Sequence, residues 1–260
     1  MEQITSVQNL RVKRIAKLQR KAAARRTEKL TVIEGIREVQ RAVENGWVPA
    51  ELWLCHELGN TAITARFPAT NIFECPPAVF DKITYRENPD GVLAVGPLVG
   101  QTLEELELPE IPLILVAEGL EKPGNLGALL RSADGAGADA VIVCNPATDL
   151  NNPNVIRASV GTLFYLPVAE ATAEETVEFL RRKNITVFAA LPAAEKIYTA
   201  CDFTKPAAIV VGAEDTGLTD LWKNPAAEKI KIPMCGKNDS LNVSVSAAIL
   251  LYEAVRQRRR

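Results

Sequence analysis

Histidine is almost missing from this 260-residue chain, with His56 the only one. The cysteines, at 55, 75, 144, 201 and 235, are odd in number, scattered, and form no Cys-x-x-Cys pair. Those two facts exclude a disulfide framework and a zinc site, so no metal centre is expected. Cys55 and His56 are chain neighbours, but adjacent side chains rarely converge, and the pair reads as unreactive rather than as nucleophile and base. No apolar run approaches the roughly eighteen residues that a membrane span needs. Met1-Glu2-Gln3 lacks the charged and apolar regions of a signal peptide, so a soluble, cytoplasmic protein without membrane contact is expected. The glycines between Glu118 and Gly127 fit neither G-x-G-x-x-G nor the Walker pattern of Gly-Lys followed by Ser or Thr. A dinucleotide oxidoreductase or a P-loop enzyme is thereby disfavoured. No repeat or low-complexity segment is visible.

What is present is an ordinary globular composition, 47% apolar, long enough for one large domain or two small ones. The net charge of -2 hides a segregation, because nine Lys or Arg residues lie between Arg11 and Lys29 against one acid, Glu28. Arg256, Arg258, Arg259 and Arg260 repeat the pattern at the other end. Such patches read either as footprints for a phosphate backbone or as solvated helix faces.

Spacing predicts a helix over residues 6–26, with Val7, Leu10, Ile15 and Leu18 as its apolar side. A strand at 31–33 leads to a helix at 34–44, which Asn45-Gly46 ends. Strands follow at 52–55, 71–74 and 91–96, with a short helix at 79–83, as in a small α/β domain. The acidic stretch 103–112 reads as a linker, with the domain boundary near residue 107. Beyond it, near-continuous apolar runs at 113–117, 140–144, 185–189 and 208–212 alternate with helices at about 125–136, 173–183 and 241–256. Strands apolar on both faces argue for a Rossmann-like parallel sheet covered on both sides. In such sheets ligands bind beyond the carboxyl ends of the strands. The loops at 123–125, 191–192, 212–217 and 233–242 all fall there.

The last of these follows a short strand at 230–232 and places Ser240 where a helix N-cap would stand. By itself it reads first as an ordinary β-α turn. Three stretches, however, occur together and in order: Asn125-Leu126-Gly127-Ala128-Leu129-Leu130-Arg131-Ser132-Ala133, then Ile209-Val210-Val211-Gly212-Ala213-Glu214-Asp215-Thr216-Gly217-Leu218, then Lys231-Ile232-Pro233-Met234-Cys235-Gly236-Lys237-Asn238-Asp239-Ser240-Leu241-Asn242-Val243-Ser244. They resemble the three signature motifs of the SpoU (TrmH-type) RNA 2'-O-ribose methyltransferases of the SPOUT superfamily. Val32-Ile33-Glu34-Gly35 and the helix after it look like that family's small RNA-recognition domain, so the resemblance spans nearly the whole chain.

The resemblance implies a fold and a reaction. Residues 1–107 would be an L30e-like RNA-binding domain carrying the basic N-terminal helix, and 108–260 a methyltransferase domain tied in a deep trefoil knot. S-adenosyl-L-methionine would sit among Leu191, Gly212, Ile232, Met234 and Leu241. Arg131, Asn125, Glu214, Ser240 and Asn242 would serve catalysis, with Glu214 orienting Arg131 or the substrate. Singly, Ile232 and Leu241 also read as core, Arg131 as a surface arginine, Glu214 as a surface acid and Ser240 as a cap. Guanidinium is effectively never neutral, which favours Arg131 as a binder of phosphate and stabiliser of an alkoxide, with proton removal left open. The family's domains pair as homodimers, and the apolar closing helix (Leu241, Val245, Ile249, Leu250, Tyr252) has surface to spare for that. Ribosomal RNA is the expected substrate, transfer RNA the alternative. A non-catalytic RNA-binding or ribosome-assembly protein is the reading from another class.

Overall fold

A computed structural model describes residues 1–59, 61, 62, 67, 71–224 and 226–259, so Arg260 of the C-terminal basic run lies outside the described residues. The chain forms two compact units, Met1–Val99 with Asp149–Tyr165, and Gly100–Thr148 with Leu166–Arg260.

Unit 1 contains β1 (Glu2–Gln3), α1 (Leu10–Arg20), α2 (Ala22–Glu28), β2 (Leu30–Glu34), α3 (Ile36–Glu44), β3 (Glu51–Leu54), β4 (Asn71–Glu74), α4 (Pro77–Ile83), β5 (Val92–Pro97) and, after a long excursion of the chain, α6 (Pro153–Ala158). Its mixed sheet has the order β1-β4-β3-β5-β2. The single helix expected over 6–26 is two, because Lys21 is extended (φ -122°, ψ 111°) and ends α1. Asn9 caps α1, its side chain accepting from the Arg11 N–H at 2.8 Å. The apolar side is Val12, Ile15 and Leu18, with Val7 and Leu10 exposed.

Part of the basic run is consumed by the fold. Arg14 donates to Glu28 and Glu51, both at 2.6 Å. Arg25 is buried and donates to Asp149 at 2.7 Å and to the Leu18 carbonyl at 2.5 Å. Lys13, Lys17, Arg20 and Lys21 remain exposed.

Segment 149–165 belongs to unit 1 through polar bonds that no local pattern announces. Asn151 exchanges two hydrogen bonds with the Val99 backbone (2.9 and 2.8 Å), and Thr31 donates to the Asn151 carbonyl at 3.1 Å.

Unit 2 holds β6 (Leu113–Glu118), α5 (Pro123–Gly135), β7 (Ala140–Cys144), β8 (Val168–Ala171), α7 (Ala173–Arg182), β9 (Thr186–Ala190), β10 (Lys196–Ile197), β11 (Ala207–Val211), β12 (Glu228–Lys231) and α8 (Val243–Arg258). The sheet order is β10-β12-β9-β11-β6-β7-β8, and every ladder in it is parallel. All of β6, β7 and β11 is buried, as continuous apolar runs in a parallel sheet require. The acidic stretch after Gly100 is no free tether. Thr102 and Glu105 form a capping box, and Leu103 and Leu106 are buried in this unit's core. The units therefore part at Val99 and Gly100, ahead of the expected junction. At the far end Arg258 donates to the carbonyls of Phe203, Ile111, Pro112 and Lys205 (2.8 to 3.1 Å), and Arg256 pairs with Glu253 at 2.7 Å. Arg258 thus closes the fold rather than joining an open cationic patch, while Arg256 stays exposed. Among the described residues no helix is long and apolar enough to cross a membrane.

Candidate active site

The parallel register puts the carboxyl ends of β6, β9, β11 and β12 on one edge of unit 2, and the loops leaving β9, β11 and β12 enclose a cleft. Its volume is about 170 Å³ and it opens to solvent. Leu191 comes from the loop after β9, Gly212 and Glu214 from the loop after β11, and Ile232, Met234, Ser240 and Leu241 from the segment between β12 and α8. All five residues expected to hold a cofactor thus line one cavity. Pro192, Asp239 and Ser246 also line it and were not singled out from the sequence.

The cavity's chemistry is mixed. Leu191, Ile232, Met234 and Leu241 supply apolar walls. Among the described residues none of the backbone N–H groups of 234–241 donates to another backbone carbonyl, so these donors face solvent or a ligand. Gly212 has a reason of its own. A Cβ there would lie 2.4 Å from the carbonyl carbon of Gly217, because the loop folds back on its start, with the Gly217 N–H donating to the Ala213 carbonyl at 2.9 Å. Close approach at this glycine is first of all by the chain's own backbone.

A hydrogen-bonded polar cluster stands at the rim. Asn242 Nδ2 donates to Glu214 Oε1 at 2.6 Å and to Asn125 Oδ1 at 3.2 Å, while Lys122 Nζ donates to Glu214 Oε2 at 2.7 Å. Three of the five residues expected to serve catalysis therefore meet, each from a different signature stretch. Lys122 holds the Glu214 carboxyl below the usual carboxylate range, and Glu214 in turn raises the Lys122 ammonium. Glu214 is thus oriented by Lys122 and Asn242 and makes no pair with Arg131. Arg131 lies on the next turns of α5, exposed, and among the described residues no carboxylate is within ion-pair distance of it. A second missed carboxylate supports the loop from beneath, since buried Glu118, the last residue of β6, accepts from the Thr219 N–H and hydroxyl, both at 2.8 Å.

The helix cap differs from expectation. Asn242, not Ser240, caps α8, its Oδ1 accepting from the Ser244 N–H at 3.0 Å and from the Ser244 hydroxyl at 2.6 Å. Ser240 lies in the loop and lines the cavity. Among the described residues no group of three or more His, Cys, Asp or Glu could hold a metal ion.

The sequence model of the SpoU rRNA Methylase family matches residues 112–252, more than half of the chain. The chain belongs to that family. An MRM3-like substrate binding domain matches residues 9–94, which lie within unit 1. A 23S rRNA (uridine(2479)-2'-O)-methyltransferase of Streptomyces viridochromogenes is 30% identical over 238 residues, 87% of this chain and 83% of that one. The 23S rRNA (guanosine-2'-O-)-methyltransferase RlmB of Escherichia coli K12 is 35% identical over 183 residues, 66% of this chain and 75% of that one. A crystal structure of an RNA 2'-O ribose methyltransferase aligns over 99% of this chain and 100% of its own, with TM-score 0.86 and 42% identity. The AdoMet-bound rRNA methyltransferase of Sinorhizobium meliloti aligns over 98% and 97%, with TM-score 0.89 and 29% identity. The mixed α/β architecture with a parallel sheet is the family's.

Proposed function

We propose that this chain is an enzyme that transfers a methyl group from S-adenosyl-L-methionine to a ribose 2'-hydroxyl of RNA, with ribosomal RNA as the substrate. The observation that carries the reading is the single cleft that Leu191, Gly212, Ile232, Met234, Ser240 and Leu241 line, with the Asn125–Glu214–Asn242 cluster at its rim. Its fit to the cofactor rests on chemistry. The apolar walls suit an adenine ring, and the unpaired backbone donors of 234–241 suit its polar edges and the amino-acid end. Bound there, the cofactor supplies an electrophilic methyl on sulfur.

The residues of the chain then have to align the attacking oxygen, since in-line alignment is the main requirement of such a transfer. Asn125, Glu214 and Asn242 fix the rim as one rigid polar unit, and Ser240 offers a hydroxyl inside the cleft. Arg131, with its planar guanidinium fork, binds phosphate and stabilises the charge that develops on the ribose oxygen.

The finer features belong to the same proposal. Unit 1 serves as an L30e-like RNA-binding domain, with the exposed Lys13, Lys17, Arg20 and Lys21 meeting phosphates. The segment from β12 to α8 is tied as a trefoil knot, as the resemblance to the SpoU methyltransferases implies. The protein pairs as a homodimer through α8, whose Val245 and Tyr252 are exposed two turns apart; a stable monomer in light scattering would remove that feature. A cytoplasmic location goes with the substrate.

The test of the central reading is transfer of labelled methyl from S-adenosylmethionine to unmodified ribosomal RNA, with the ribose mapped afterwards. Transfer to transfer RNA alone would replace the substrate. No transfer to either, from a folded protein that binds the cofactor, would leave the non-catalytic RNA-binding reading.

A further inference from the structure

Unit 1 carries a cleft that neither the sequence motifs nor the methyl-transfer chemistry uses. It is lined by Arg37, Glu38, Tyr85, Arg86, Asn88 and Arg157, together with Glu87 on its rim. The residues come from three places in the chain: the first turn of α3, the loop between α4 and β5, and α6 of the returning segment 149–165.

The loop is held rigidly from below. The buried Glu34 carboxylate accepts from the backbone N–H groups of Tyr85 (2.8 Å) and Arg86 (3.1 Å), and from the Thr84 hydroxyl. Arg86 is pinned by the buried Glu38 at 2.7 Å and by the Glu34 carbonyl at 2.8 Å, while its Nε is buried without a hydrogen-bond partner among the described residues. Above this platform stand three groups that the fold leaves outward. The Tyr85 side chain belongs to a residue 53% exposed, Arg157 is exposed, and Arg37, although it touches Glu38 at 3.1 Å, keeps a side chain 64% exposed.

The charges decide what such a cleft can hold. Arg86 lies among Glu38 (2.7 Å), Asp90 (3.8 Å) and Glu34 (3.9 Å), and Arg37 also meets Glu38 at 3.1 Å, so among the described residues Arg157 is the cleft's one arginine without a carboxylate partner. The acids and arginines of the cleft therefore roughly cancel, unlike the charges on the basic face of α1. Bulk charge would therefore give little affinity here. What the site offers is an aromatic face flanked by two planar guanidinium forks, the combination that stacks a base and grips the phosphates beside it. A duplex offers no free base face, so the fit is to an unpaired nucleotide.

We infer that this cleft is a docking site for a single-stranded stretch of the substrate RNA, with a base stacked on Tyr85 and flanking phosphates held by Arg37 and Arg157. The inference rests on the RNA-methyltransferase reading above and assigns to unit 1 a second, stacking-based contact distinct from its lysine face.

Binding of a fluorescein-labelled single-stranded oligoribonucleotide to the full-length protein, followed by anisotropy over a range of salt, tests it. Tyr85→Ala should weaken binding by roughly ten-fold to a hundred-fold, while Tyr85→Phe, which keeps the ring, should bind nearly as the parent does. Arg157→Gln should weaken binding and reduce the salt slope by about 0.7, the share of one phosphate contact on a single strand. Replacing Lys13, Lys17 and Lys21 together should reduce the slope further without altering the loss at Tyr85. Cofactor affinity should stay unchanged in all of them. Unchanged affinity in both Tyr85→Ala and Arg157→Gln, or equal losses in Tyr85→Phe and Tyr85→Ala, overturns the inference. If methyl transfer to RNA fails in the parent protein, it is the function that falls; if transfer occurs and these variants bind and methylate normally, it is the cleft.

Discussion

The two units spend their polar residues differently. Unit 1 buries charge inside its fold: Arg25, Glu34, Glu38 and Glu51 are all below a tenth exposed. Unit 2 buries fewer, Glu118 and Glu253, builds β6, β7 and β11 almost wholly from apolar residues and keeps its polar cluster at the strand ends, where Lys122, Asn125, Glu214 and Asn242 meet. Charges buried in a fold stabilise it only while every partner is in place. Polar groups at a loop rim are free to be selected for chemistry. The comparison implies that polar substitutions in unit 1 damage stability first, and those at the rim of unit 2 damage activity first.

Glu38→Ala should break the comparison's first half most visibly. It would leave the largely buried Arg86 guanidinium without its closest carboxylate and should cost about 3–5 kcal/mol of stability. Chemical denaturation measures this, and a loss below about 1 kcal/mol would show that water or Asp90, 3.8 Å away, takes over.

Arg131→Ala addresses the second half. Exposed and unpaired among the described residues, Arg131 contributes little to folding. Its removal should leave thermal unfolding and cofactor binding unchanged while slowing methyl transfer by about 10²–10³, the range for loss of one charge-stabilising donor. Arg131→Lys keeps the charge without the planar fork and should also be badly impaired. A folded Arg131→Ala protein with near-normal transfer would take Arg131 out of the mechanism.

Legibility follows the same divide. The strands of unit 2 could be read because a parallel sheet covered on both faces demands apolar runs, as in Ala140–Cys144 and Ala207–Val211. β8 and β10 were missed: Val168–Ala171 carries an exposed Glu170, and Lys196–Ile197 is only two residues long. In unit 1 the return of 149–165 depends on contacts such as Arg25 with Asp149 and Thr31 with Asn151, which are long-range polar bonds without periodicity. The break at Lys21 was hidden because basic and alanine residues favour helix on both sides of it. At the site, the resemblance named which residues to look at. It did not reveal that Lys122 rather than Arg131 faces Glu214, since that pairing joins residues from two loops.

The Lys122–Glu214 pair gives a pH test of the rim. Glu214 titrates lower in the folded protein, so its contribution is present above the ordinary carboxylate pKa and lost as pH falls through the lowered value. Lys122 titrates higher, so its contribution is present below the ordinary lysine pKa and lost as pH rises through the raised value. The rim is therefore intact across the neutral range. Cofactor affinity should be flat there and weaken on the acid side, and Lys122→Met should move that acid limb upward as Glu214 loses its cationic partner. An acid limb unmoved in Lys122→Met would detach the pair from the site.

The smallest effect separates the roles of Ser240 and Asn242, two positions apart in the chain. If Asn242 both caps α8 and ties Glu214 to Asn125, Asn242→Ala should lower stability by about 1 kcal/mol, the usual value of a helix N-cap, and should weaken cofactor binding as well. Ser240→Ala removes only a hydroxyl exposed in the loop, so stability should stay within about 0.5 kcal/mol of the parent. Any loss it causes must then appear in binding or transfer, because Ser240 lines the cleft without capping the helix. Asn242→Asp sharpens the contrast. Its carboxylate can still accept from the Ser244 N–H, but it cannot donate to Glu214 and sets two negative charges against each other. Stability should therefore survive better in Asn242→Asp than in Asn242→Ala while cofactor binding falls further, and the opposite order would mean that Asn242 acts at the rim through its cap alone.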